Sequence, residues 1–540
     1  MKYHLKCCLL ILAATIVALA IRLPQLARRP MHCDEAVHAC IFRDLLERGD
    51  YRYSPNEYHG PTLGYLTLIP TWLGGSEKLT QINECTLRGV SVFFGVLLVL
   101  LTVLLFRGLT PPVAIIAALL TAVCPAMVYY SRYYLHEMLL VCFTFGAIIS
   151  GYRYTQNRNI IWALLTGLCL GLMHATKETC IIAFGAMAIS LTLVLIMRRW
   201  QNNDTLTNTF KTIKPAHWAA AIAVACLVSV SFYSSFFTNL HGIPDSFRSF
   251  IIAFNRASRN PSHPHPWNYF LKIMIYSQSD AGPAWSDAVI ILLAAIGFIV
   301  AMVRKGIVGV NFHLLRFIAF YTAIMTISYS AIPYKTPWCM LGFLHGMILL
   351  AAVGAVTAIK LTTNLPSKIL LGLLLLAAGV NFGWMAYLAS YRYAADTVNP
   401  YAYVHTSPDV YEMVQRIEKI AAVHPRGHDM IIHIVSSEHN YWPLPWYLRS
   451  FNNVGYYDKV SDNITDAEVI IASPDRQMDL REKLYNIPPT GQINLYVPIF
   501  DRYLELRPSI ELRGYATKDL WDRFQEHQGQ SPPPATQTDR

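Results

Sequence analysis

The sequence predicts a polytopic α-helical membrane protein with about eleven transmembrane helices, followed by a small α/β domain outside the membrane. Three observations predict it. Of 540 residues, 54% are hydrophobic and only 14% charged, a balance unlike that of a soluble enzyme. Apolar runs of roughly 17 to 25 residues, the length that crosses a bilayer, recur through the first three quarters of the chain. Beyond about residue 393 the composition turns polar, and the remaining apolar runs, in "DMIIHIVSS" and "AEVIIASPD", are short enough for buried strands.

The runs lie near 7–23, 89–106, 112–130, 137–152, 159–175, 178–197, 217–237, 286–303, 313–332, 337–358 and 368–392. The first, with Lys2 and Lys6 ahead of it and "ALA" at 18–20, has a cleaved signal peptide as its alternative reading. Both readings deliver Ile21 onward to the outer side. One set of loops then collects Lys2, Lys6, Arg107, Arg153, Arg158, Arg198, Arg199, Lys211, Lys214, Arg304, Lys305, Lys360 and Lys368. By the positive-inside rule that side is cytoplasmic. The short opposite loops carry single cations: Arg132 in "YYSRYYLHE", Lys177 in "HATKET" and Lys335 in "IPYKTPW". The longer segments 24–88 and 238–285 face outward with them.

The domain plan is therefore a membrane domain over 1–392, an extracytoplasmic α/β domain over 393–525 and a disordered tail over 526–540. Ser407-Pro408 and Ser473-Pro474 each offer a helix N-cap followed by proline at the first helical position. The tail "GQSPPPATQTDR" is low in complexity. No internal repeat is visible. "NIT" at 463–465 fits a glycosylation acceptor only by chance in a chain of unknown compartment.

The formal charge of +10 is spread between apolar runs, which suits topology rather than nucleic acid. The eleven cysteines fall mostly inside apolar runs, and only Cys33, Cys40 and Cys85 are placed to pair outside. Neither a Cys-x-x-Cys metal pair nor a Walker or dinucleotide glycine pattern occurs.

The chemistry-bearing residues gather on the outer face. Asp34 and Glu35 open a segment in which Val37, Ile41 and Leu45 recur at every fourth position and Gly49 ends the pattern, describing an interfacial amphipathic helix. Asp34 as its N-cap and Glu35 as a first-turn acid would serve that helix alone. Three cations at span ends argue for more, because such charges usually line a cavity or pair. "RYYLHE" adds His136 and Glu137, and "TKET" adds Glu178. Carboxylates beside cations suit a phosphorylated, lipid-borne substrate: cations hold the phosphate as it gains charge, and a carboxylate takes the proton of the attacking group. Glycosyl transfer from a polyprenyl phosphate to an extracytoplasmic acceptor is the expected reaction.

An acidic pair after the first span, an interfacial helix and then "YHGP" at 58–61 resemble the GT-C membrane glycosyltransferases, in particular the protein O-mannosyltransferases and the lipid A aminoarabinose transferase. "DEAVHA", "YHGP", "ATKET" at 175–179, "HPHPWNYFL" at 263–271, "PYKTPW" at 333–338 and "YWPLPWYLR" at 441–449 are together similar to the prokaryotic flippase-activity-associated proteins. The resemblance runs from about residue 30 to residue 450. It implies a GT-C fold in the cell (inner) membrane, Asp34 as catalytic base with Glu35 in support, and Arg132 near the donor phosphate. Lys177 and Lys335 are expected on the same phosphate, and His59, His136, Glu137, Glu178, Tyr334 and Trp338 around the substrate. Relatives carry Asp near "RYYLHE" where this chain has His136 and Glu137, so the second acid has no assigned role.

No cofactor is expected, since the mannosyltransferase-like branch works without metal. The alternative is a divalent ion held by His59 and His136 with Asp34 and Glu35. His263 and His265 are expected to shape a loop. "YWPLPWYLR" reads equally as an acceptor platform or a packing contact. Against catalysis stand two readings: a protein that helps lipid-linked sugars cross the membrane, and a binding scaffold. The clustering of charge at span ends rather than through the bilayer favours catalysis.

Overall fold

The computed structural model describes residues 2–57, 59–202, 214–258, 263–279, 281–487 and 493–530, which form two compact units. One comprises Met1–Ala27, Phe42–Glu77 and Ile82–Tyr403; the other comprises Arg28–Ile41, Lys78–Gln81 and Val404–Arg540. Tyr58 of "YHGP", Lys211 and the end of the expected tail, 531–540, lie outside the described residues. Residues 526–530, expected as the start of a disordered tail, are instead the last turn of the helix Lys518–Gln530.

The first unit is a helical membrane bundle. Among the described residues, eight helices are long and apolar enough to cross a membrane, and Pro111–Val123 with Pro125–Ser131 makes a ninth, bent by 59°. Ile160–Thr176 and Ala288–Val303 are apolar but shorter. Both pack by close backbone approach. A Cβ on Gly297 would lie 2.1 Å from the carbonyl oxygen of Leu350, and one on Gly167 would lie 2.1 Å from that of Ala221. Small residues that let helices touch are a general device for bundles in lipid, where apolar burial supplies no driving force. Helix starts are fixed locally: the side chains of Asn83, Asn159, Asn311 and Asn364 each accept a backbone N–H of the turn they open.

The bend is held by arginine. Arg22, fully buried at the end of the helix Lys2–Arg22, donates to the carbonyls of Thr121 at 2.9 Å and Ala122 at 2.7 Å and to Ser131 Oγ at 3.1 Å. The two carbonyls are left over where the helix breaks before Pro125, and a guanidinium supplies enough donors for both and for the serine hydroxyl.

The second unit is a small α/β sheet domain. Its five-stranded sheet runs, in order, Asn453–Tyr457, Ile431–Val435, Val469–Ala472, Arg513–Thr517 and Tyr496–Pro498. The expected strands are β1, Ile431–Val435, and β3, Val469–Ala472, which pair parallel. Both are short apolar runs buried on two faces, as parallel strands are. β2, Asn453–Tyr457, pairs parallel to β1, while β5, Arg513–Thr517, runs antiparallel to β3 and to β4, Tyr496–Pro498. The helix Asp409–Ala421 starts one residue after the expected proline and packs Val410, Met413, Ile417 and Ile420 on Ile432 and Ile434.

The expected boundary at 392/393 moves to Tyr403/Val404, and residues 28–41 belong to the C-terminal unit. The reason is a set of specific bonds: Met31 N–H donates to Tyr447 Oη at 2.8 Å, and Arg29 donates to His405 Nε2 at 2.7 Å.

Candidate functional site

The acidic pair sits in the first turn of the helix Cys33–Arg48, but the N-cap is His32 rather than Asp34. His32 O accepts the first intrahelical bond, from Ala36 N–H, at 3.0 Å, and its Nδ1 accepts the Asp34 N–H at 3.1 Å. Glu35, three residues on, accepts the His32 N–H at 2.9 Å. That reciprocal pattern is a capping box with histidine in the place of serine. The helix ends at Gly49, whose φ of +66° suits glycine. Its buried stripe is Ala36, Ala39, Phe42 and Leu45, so of the expected Val37, Ile41 and Leu45 only Leu45 is fully buried.

The two acids differ sharply. Glu35 is fully buried and meets Arg29 at 3.1 Å through both oxygens. Arg29 also donates to His405 Nε2, so that the other ring nitrogen faces Thr406 O at 3.0 Å. Burial, then Arg29 and His32, hold His405 well below the ordinary imidazole range. Asp34 keeps its side chain 45% exposed. Arg29 and His405 carried no motif signal, because their role depends on a partner hundreds of residues away.

In the membrane unit the quoted motifs meet in pairs. Gly60 N–H donates to Thr176 O at 3.1 Å, and Thr62 Oγ1 donates to Thr176 Oγ1 at 2.9 Å, joining "YHGP" to "ATKET". A Cβ on Gly60 would come within 2.2 Å of Ala175 O, so only glycine permits this approach. His59 Nδ1 meets Glu178 at 3.0 Å, and His136 Nε2 donates to Gly60 O at 3.0 Å, with the two imidazole rings 5.3 Å apart. Lys177 forms a buried ion pair with Glu137. Burial works to lower the Lys177 pKa, but Glu137 and then Glu178 raise it. Burial likewise opposes the Glu178 charge, yet His59 and then Lys177 bring its pKa down to about 2.

"HPHPW" and "PYKTPW" pair in the same way, through Lys335 N–H to His263 O and His265 N–H to Pro333 O, both at 3.1 Å. The Lys335 ammonium donates to His265 O at 3.1 Å and to Ile332 O, and burial lowers its pKa. Tyr403 Oη bonds His263 Nδ1 at 2.9 Å and His265 Nε2 at 3.2 Å, so the two histidines do shape a loop. Tyr334 stacks edge-on to His263, with centroids 5.6 Å apart. Trp338 lines a cavity of about 30 Å³ together with Glu137, Lys177, Thr179, Tyr329 and Cys339. That is room for water beside the ion pair, not for a sugar.

Arg132 differs from the other two cations. Its guanidinium donates to Arg22 O at 2.6 Å, Pro24 O at 2.8 Å, Gln25 O at 3.3 Å and Tyr391 Oη at 3.2 Å. Four acceptors occupy most of the donors that an arginine has.

Of the alternative metal set, His59 and His136 belong to the membrane unit and Asp34 and Glu35 to the other. Among the described residues the grouping of three ligand types is His32, Cys33 and Asp34, within 4.8 Å, where His32 Nδ1 already takes the Asp34 N–H. Among the described residues no disulfide joins Cys33, Cys40 or Cys85.

Residues 65–241 match the family model described as dolichyl-phosphate-mannose-protein mannosyltransferase. No curated protein matches the chain. Among solved structures, ArnT from Cupriavidus metallidurans in the apo state superposes with a TM-score of 0.63 at 14% identity, covering 93% of this chain and 97% of that one. The same protein bound to undecaprenyl phosphate gives 0.60 at 15% identity over the same shares. The oligosaccharyltransferase AglB from Archaeoglobus fulgidus, in complex with an inhibitory peptide and a dolichol-phosphate, gives 0.54 at 11% identity, covering 87% of this chain and 69% of that one. At these identities the likeness is one of fold.

Proposed function

We propose that this chain is a GT-C membrane glycosyltransferase, which transfers a sugar from a polyprenyl-phosphate donor to a hydroxyl of an extracytoplasmic protein, lipid or glycan at the cell membrane. Asp34 is the base. The observation that carries this reading is the division of labour in the acidic pair. Glu35 is buried and committed to Arg29 and to the helix cap, while Asp34 is half exposed on the turn that Glu35 fixes.

The acceptor oxygen attacks the anomeric carbon, the bond from that carbon to the phosphate oxygen breaks, and Asp34 takes the hydroxyl proton. One displacement inverts the configuration. The leaving phosphate gains charge, so cations held before the reaction favour the transition state over the ground state. Lys177 and Lys335, each buried and fixed by local partners, are assigned to that phosphate. Arg132, tied to three backbone carbonyls between Arg22 and Gln25, is a positioning residue for the chain that leads into the acidic pair. No step requires a metal.

Purified protein in lipid, given radiolabelled polyprenyl-phosphate sugars and cell-envelope acceptors, tests the reading. Asp34→Asn should abolish transfer while the protein stays folded. Wild-type protein that moves lipid-linked sugar between leaflets but transfers none would replace this reading with the flipping one.

A further inference from the structure

The helix Gly242–Ser258, sequence GIPDSFRSFIIAFNRAS, distributes its residues the wrong way round for water. Its buried positions are the small Gly242, Ser246 and Ser249. Both serine hydroxyls bond carbonyls of their own helix, Ile243 O at 2.7 Å and Ser246 O at 2.6 Å. Its large apolar residues point outward: Phe247 is 61% exposed, Ile251 64% and Phe254 71%. Spaced i, i+4 and i+7, these three form one stripe over two turns. A helix packed on a protein core with water outside would reverse that pattern.

The depth of the helix follows from its start. The helix Pro215–Tyr233 is a membrane span with only 6% of its apolar window buried by the rest of the chain, so it faces lipid. The chain turns back at once, with Asn239 N–H bonded to Ser234 O at 2.8 Å and positive φ at Ser235, Phe236 and Phe237. Gly242 then sits against the carbonyl of Tyr233, the last residue of the span, where a Cβ would come within 1.9 Å. The second helix therefore begins at the level where the first leaves the membrane. The turn itself exposes Phe236, Phe237 and Leu240, which continues the apolar surface of the span into the stripe.

We propose that Gly242–Ser258 lies in the plane of the bilayer, with Phe247, Ile251 and Phe254 among the acyl chains and its partner the phospholipid surface. Arg248, its side chain 71% exposed, and Arg256, which donates to Asn56 O at 2.9 Å, lie beside the stripe at the height of the headgroup phosphates. Cations flanking an apolar face are the usual composition of an interfacial helix. The alternative occupant, a second protein, becomes an outcome of the test.

The full chain is placed in nanodiscs of phosphatidylcholine and phosphatidylglycerol, with the photocrosslinker p-benzoylphenylalanine in place of Ile251, or of Lys419 on the exposed face of the other unit. Irradiation should add the mass of one phospholipid at position 251, several-fold more than at 419. The same substitution at Phe254 repeats the measurement if the first variant folds poorly. A crosslink from both stripe positions to protein, or the same lipid yield at 251 and 419, would overturn the proposal.

Discussion

Glu35 meets Arg29 through both carboxylate oxygens at 3.1 Å, and the same carboxylate caps the His32 N–H at 2.9 Å. The acid that lies beside the proposed base is thus a structural residue. Removing one partner of a buried pair leaves the other charge without compensation, at a cost of about 3 kcal/mol. Glu35→Gln should lower thermal stability by that order and reduce transfer only through the lost folded fraction. Asp34→Asn should do the reverse: unchanged melting and transfer lost by about two orders of magnitude or more. Melting curves and turnover measured on the same preparations separate the two.

Lys177 and Glu137 form a buried pair, so their effects on stability should not add. Lys177→Met and Glu137→Gln are each expected to destabilise by roughly 3 kcal/mol, and the double variant by less than their sum. A double-mutant cycle on chemical denaturation measures the coupling, expected between about 1 and 3 kcal/mol. An additive cycle would show that the two do not interact.

Arg132 is assigned to chain positioning, which predicts a different signature from that of a phosphate ligand. Arg132→Ala strips donors from the buried carbonyl of Arg22 and the part-buried ones of Pro24 and Gln25, at a cost of about 1–3 kcal/mol for the buried one, and should lower the melting temperature clearly. The folded fraction should keep its KM for the donor. A selective rise in donor KM with melting unchanged would return Arg132 to the phosphate.

Glu178 has its pKa brought down to about 2 from the ordinary glutamate range, with His59 at 3.0 Å as the leading cause that lowers it. A carboxylate depressed in the folded state contributes stability that is fully present above the unfolded value and lost as pH falls towards the folded one. The contribution, of order 3 kcal/mol, should be constant from neutrality to about pH 4.5 and disappear between there and about pH 2. Glu178→Gln should flatten that part of the stability profile.

Gly60 stands where a Cβ would come within 2.2 Å of Ala175 O. Gly60→Ala must separate the two motif segments and break the bond from its N–H to Thr176 O at 3.1 Å. The expected cost is about 2 kcal/mol or more, read as a loss of melting temperature. Hydrogen exchange at residue 60 should rise with it.

The sequence by itself determined the elements that depend on neighbours in the chain. The apolar runs became helices, because a segment of that composition satisfies its backbone only by coiling in lipid. "DMIIHIVSS" and "AEVIIASPD" became β1 and β3, since short doubly apolar runs suit a parallel sheet. Gly49 ended its helix as read. The six motifs were also visible as motifs.

Only the tertiary structure decided how they combine. It paired "YHGP" with "ATKET" and "HPHPW" with "PYKTPW", and it joined the acidic segment to Tyr447 and His405. It separated Asp34 from Glu35 in role, moved the cap to His32 and gave Arg132 to backbone carbonyls. It also put an outward apolar stripe on Gly242–Ser258, inside a segment read from the sequence only as facing outward. The physical reason is common to all of these. Periodicity and capping act within a few residues, whereas a charge takes its role from the groups buried beside it, and folding brings those from distant parts of the chain.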